Sequence, residues 1–156
     1  VPTQPIMIEA RRLRQEALDV ISTVLMSLGE GQDRFLSRLP KLRLEMNSIV
    51  TVYQAFKHRH IFEPLSQFED AVDRSAANDL KIASISASES YRAHMQAWPR
   101  SRVEDDWRGY CAAVRLIGGS LHRAIVLEGD LVEELLSRQH GVDTVERDEE
   151  SHSGKP

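Results

Sequence analysis

Leu42–Leu65 reads LRLEMNSIVTVYQAFKHRHIFEPL. Within it Leu42, Met46, Ile49, Tyr53, Phe56 and His60 step by four, three, four, three and four. That spacing lays them on one stripe of an α-helix, the pattern of a helix packed lengthwise against others. Toward its end the stretch turns polar, with Tyr53 and then Lys57-His58-Arg59-His60, ahead of Ile61-Phe62-Glu63-Pro64. Bundles build their sites from side chains that facing helices project into the core, so this polar end is the place to look for chemistry.

Upstream, a first helix is predicted from Pro5 to Leu28, with Leu13, Ala17, Ile21, Val24 and Leu28 inward and Gly29 and Gly31 at its exit. Arg11, Arg12 and Arg14 are interleaved with acids and read as a solvated face. FLSRL predicts a short helical turn before Pro40, and Pro40 then opens the second long helix, because proline does not extend a helix from its interior. Pro64 closes it. Downstream, a third helix starts at Asp73 or Ser75 and runs to Trp98, with Leu80, Ala83, Ala87, Tyr91, His94 and Trp98 inward. KIASISAS alternates over a few residues and makes a strand the rival there, but both flanks are helix-like. Ser101 and Glu104 fit a capping box for the fourth helix. Trp107, Tyr110, Val114, Ile117, Leu121, Ala124, Glu128, Leu131 and Leu135 then alternate three and four, as in a coiled-coil seam. Gly118-Gly119 marks a kink or a close crossing, and Gly141 supplies a stop. Residues 142–156, VDTVERDEESHSGKP, are acidic and poor in apolar side chains, so disorder is expected.

Four long amphipathic segments without a strand signal predict an all-α fold, an antiparallel up-down-up-down four-helix bundle over residues 1–141 followed by the tail 142–156. At 156 residues, 41% hydrophobic and 28% charged, the chain has enough material for one core without staples. Its net charge of −4 opposes nucleic acid and anionic membranes. One cysteine, Cys111, permits no internal disulfide, fits a reducing cytoplasm, and reads as a small core residue. No apolar run approaches the roughly 20 residues of a membrane span. The expectation is a cytoplasmic protein.

Two of these stretches resemble the ligand-bearing helices of the hemerythrin-like (HHE) family. In that family the second and fourth helices carry His-x-x-x-Glu or His-x-x-x-His, followed by a Leu-Phe-Pro-like ending. Here YQAFKHRHIFEPL has the ending, and LHRAIVLEGDLVEELL has Leu127-Glu128 before an apolar exit. The resemblance implies ligand positions at Tyr53 and Lys57 on the second helix and at Ala124 and Glu128 on the fourth. RLRQEAL is similar to the family's opening, with Ala17 where a histidine would stand. The third-helix ligand would fall near Glu89-Ser90. Of these replaced positions only Glu128 keeps a metal-competent group, so the resemblance implies a descendant without metal or other cofactor.

An acid left on an apolar seam needs a positive partner. The resemblance implies Lys57 as that partner, since the family's geometry would bring it to Glu128 from across the bundle, with the Tyr53 hydroxyl joining and Ala17 and Ala124 alongside. The alternative is a Lys57 that snorkels to solvent and a half-exposed Glu128. Other groups keep rival readings open. His60 and Glu63 could offer two metal ligands, with His94 or His122 as a third, whereas His58 and His60 face different sides of a helix. Lys57-His58-Arg59-His60 also combines a phosphoacceptor histidine with cations, as histidine phosphotransfer requires, though Phe56, Ile61 and Phe62 crowd it. No zinc pattern, phosphate loop or nucleophile elbow occurs, which makes an enzyme the weaker expectation. The favoured reading is a non-catalytic regulatory or protein-interaction module, with a protein partner or a second copy of itself and no nucleic acid, membrane or metal.

Overall fold

The computed structural model describes the backbone of residues 3–152 and the side chains of residues 4–138. The elements are α1 (Thr3–Ser27), a 3-10 turn (Leu28–Glu30), α2 (Gln32–Lys57), a π-turn (His58–Phe62), α3 (Glu63–Leu65), α4 (Ala71–Ala97), α5 (Arg100–Asp105) and α6 (Trp107–His152). No strand occurs among the described residues, so KIASISAS is helical throughout. α1, α2, α4 and α6 form a helix bundle: α1 packs on α2 and α6, and α6 packs on α4. Cross-helix pairs run in opposite senses, Arg11 to Glu133 between α1 and α6 and Asp73 to Arg138 between α4 and α6.

Several boundaries differ from the sequence reading, each for a local reason. Pro40 lies inside α2, which begins at Gln32, directly after Gly31 with its φ of 96°. A proline leaves the carbonyl four residues back without an amide donor. That carbonyl, on Leu36, accepts from Arg100 Nη1 at 3.2 Å instead. α4 starts earlier than expected because the Asp70 carboxylate accepts from the amides of Val72 and Asp73 as an N-cap. Ser101 caps nothing: it lies within α5, and Glu104 accepts from Arg100. At the start of α6 the Asp106 carboxylate accepts from the Gly109 amide. α6 also runs past Gly141 to His152. The segment 142–156 lies outside the described side chains, and its last four residues outside the described backbone.

The seams shift by a residue in two places. On α6, Val132 is buried where Leu131 was expected, and Leu131 is 39% exposed. A seven-residue seam drifts by about 20° per heptad on a 3.6-residue helix, so beyond Glu128 the inward face moves toward Val132 and Leu136 while Leu135 stays buried. On α4, Ala77, Leu80, Ser84 and Tyr91 face inward, with Ser84 replacing Ala83. The core fills both ends and the middle of the bundle. One end cluster includes Ile61, Phe62, Leu65 and Leu135, and the other Phe35, Trp98, Val103 and Tyr110. Leu13, Ala17, Ile49, Tyr53 and Leu121 lie between them. Cys111 is buried in the second end cluster. By length and composition the Trp107–Arg138 part of α6 is apolar enough to cross a membrane, with a mean hydropathy of 1.2 over its richest window. Its inner face packs into the bundle, and 22% of that window is buried.

Candidate functional site

The middle of the bundle holds its charged groups. α2 delivers Tyr53 and Lys57 inward four residues apart, and Ile61 and Leu65 continue the same step of four. A run of fours suits a wider turn than the α-helix, and the π-turn at His58–Phe62 is where the chain takes it. Lys57 therefore replaces Phe56 and His60 on the inward stripe; Phe56 is only partly buried, and the His60 ring packs against it at 4.9 Å.

Lys57 and Glu128 are both buried, with side chains 6% and 9% exposed, and Lys57 Nζ stands 2.8 Å from Glu128 Oε1. The approach is oblique: the contact is an ion pair by distance, and Oε1 lacks a partner in hydrogen-bond alignment. Nζ donates instead to Ser84 Oγ at 2.8 Å, and Ser84 Oγ donates to Gln54 Oε1 at 2.9 Å. The Tyr53 ring faces the ammonium, 4.3 Å from Nζ to its centroid. Tyrosine thus contributes its π-face here, and no hydrogen bond of its hydroxyl to the pair is formed. Burial lowers the Lys57 pKa, opposed by the adjacent carboxylate. Burial, with the Glu128 charge adding, raises the Tyr53 phenol well above its ordinary range, so it stays neutral. Ala17, Ala124, Tyr53, Lys57 and Glu128 border one cavity of ≈ 50 Å³.

The donor set at this point does not suit a di-iron centre. Such a centre needs converging histidines and carboxylates. Here two alanines bring no donor, and the Lys57 ammonium lies against the one carboxylate. Nowhere among the described residues do three His, Cys, Asp or Glu side chains come together as a metal group. His58, Glu63 and His122 are exposed, and His60 and His94 are partly buried on separate elements. Lys57, the cation beside His58 in sequence, is turned into the core and tied to Glu128, leaving Arg59 as its immediate basic neighbour.

Ser84 and Gln54 were not singled out from sequence. Ser84 sits among serines that look alike on paper; its signal is the 77–80–84–91 spacing, which puts that one hydroxyl on the buried stripe. Comparison with models of known families, with curated proteins and with solved structures finds no match to this chain in any of the three.

Proposed function

We propose that this chain is a non-catalytic helical-bundle module of hemerythrin-like descent that has lost its di-iron site and acts through regulation or protein interaction. The observation that carries the reading is the buried Lys57–Glu128 pair, 2.8 Å apart at the place where the family pattern would put metal ligands. An ammonium beside a carboxylate supplies the positive charge that metal cations would otherwise bring, so the bundle keeps its central acid without them. The all-α bundle and the small side chains of Ala17 and Ala124 support the same descent. On this reading the protein works in the cytoplasm with a protein partner or a second copy of itself.

Elemental analysis of protein purified without chelators tests it. The expected result is a stable helical fold with no stoichiometric iron. About two equivalents of iron, the content of a di-iron bundle, would overturn the reading.

A further inference from the structure

A second charged group, away from the Lys57–Glu128 pair, faces empty space. Arg43 on α2 borders a cavity of ≈ 60 Å³ whose other walls are mostly apolar, among them Phe35, Val114 and Ile117. Its Nη2 donates to the Trp98 carbonyl at 2.5 Å and the guanidinium lies beside the Tyr110 hydroxyl, but its Nε is buried without a hydrogen-bond partner. No carboxylate of the described residues pairs with it. A guanidinium carries N–H donors in a fixed fork that matches a carboxylate, and a buried donor left unpaired is costly.

We propose that this cavity is a binding site for a small monocarboxylate with an apolar body, its carboxylate on Arg43 and its chain among the apolar walls. Size, charge and access each narrow the class. At roughly 10–15 Å³ per water-sized probe, the space suits about four to six non-hydrogen atoms. Burial and the neighbouring guanidinium both lower the pKa of His94, so at neutral pH Arg43 is the only cation on the cavity wall. One cation suits a monoanion; a phosphate dianion needs more charge-assisted donors than this wall offers. Beside the cavity, between α2 and α4, a groove of ≈ 380 Å³ lined by Asn47, Thr51, Ser88, Gln96 and the Glu89-paired Arg92 shares Tyr91 and Met95 with it, and ligand entry is assigned there. The Tyr91 hydroxyl donates to Asn47 Oδ1 at 2.6 Å and stands at that entrance. This site stands apart from the metal question, and iron analysis does not bear on it.

Butyrate is the probe, titrated into the full chain and followed by NMR of the backbone amides and of the Arg43 Nε–H. Expected are saturable shifts at the Arg43 Nε–H, Gly118 and Tyr91. Binding should weaken by about tenfold or more for n-butanol and for the Arg43→Met variant. No saturable binding, shifts that spare the Arg43 Nε–H, or equal affinity for butanol would each overturn the assignment. Should Arg43→Met fail to fold, the Nε–H readout on the unaltered protein decides alone.

Discussion

Lys57→Met leaves Glu128 buried with no positive neighbour, the arrangement that costs most when an ion pair is cut from one side. A loss of about 3–5 kcal/mol is expected for that single change, and Lys57→Met with Glu128→Leu should recover most of it. Urea unfolding of the two single variants and the double one measures the coupling; a value near zero contradicts the pairing. His94 supplies a second test at this scale. Burial, with Arg43 adding, holds its pKa below the ordinary 6.5 in the fold. The unfolded chain therefore binds the proton first, and stability falls as pH drops below about 6.5, levelling off below the folded value. His94→Gln should flatten that part of the pH profile, and urea midpoints at several pH values between neutral and acid will show whether it does. Charge balance said that Glu128 needs a cation, since an acid on an apolar seam demands one, and the resemblance to the hemerythrin-like pattern named Lys57 as the candidate. The Ser84 hydroxyl and the Gln54 amide carry no net charge and make no such demand. The Tyr53 contact also took another form, because a ring face meets an ammonium as readily as a hydroxyl does.

Gly118 and Gly119 are adjacent on α6, yet their surroundings differ. A Cβ on Gly119 would meet only Arg123 Nη1 at 3.5 Å, an ordinary contact, whereas one on Gly118 would lie 3.1 Å from Leu25 Cδ2. Gly119→Ala should therefore stabilise by about 0.5–1 kcal/mol through helix propensity. Gly118→Ala should gain less or lose, because Leu25 on α1 has to move. Thermal melts of the two variants compare them directly, and equal gains would contradict the close crossing of α1 and α6. At this scale the long apolar stripes were legible because a repeat over many residues averages out local exceptions. Ends were less so. Pro40 looked like a beginning because nothing in its neighbourhood announces that Arg100, sixty residues on, will serve the Leu36 carbonyl. The capping box at Ser101 was displaced in the same way, by Asp106 a few residues later.

Leu121, with Met46 and Tyr91, borders two mostly apolar cavities, one of ≈ 60 Å³ beside Arg43 and one of ≈ 50 Å³ beside Lys57. Leu121→Ala would add its own volume and join the two. A loss toward the upper part of the usual 2–5 kcal/mol is expected from denaturant titration. A loss under about 1 kcal/mol would mean that the bundle collapses around the gap. The four long helices and much of each inward stripe were readable from the chain because hydrophobic periodicity dictates how helices bury their stripes, whereas Lys57, Ser84 and Val132 took inward places read for their neighbours. The cavities were not. Empty volume arises from how neighbouring stripes mesh in three dimensions, and no one-dimensional pattern records that.

α2 and α4 pack less closely on one another than α1 does on α2 and α6, or α6 on α4. Polar bridges span the gap: Lys57 to Ser84, Asn47 to Tyr91, and Arg43 to the Trp98 carbonyl just beyond α4. Oily surfaces can slide and still hold, but a hydrogen bond weakens steeply once its geometry is lost. This side of the bundle thus behaves as a latched door, shut or ajar with little between, while the α1–α6 side is a wall. Hydrogen exchange should find the middle of α4 opening locally while α1 and the facing part of α6 stay protected until the whole bundle unfolds. Uniform protection across all four helices would mean that the latches never lift.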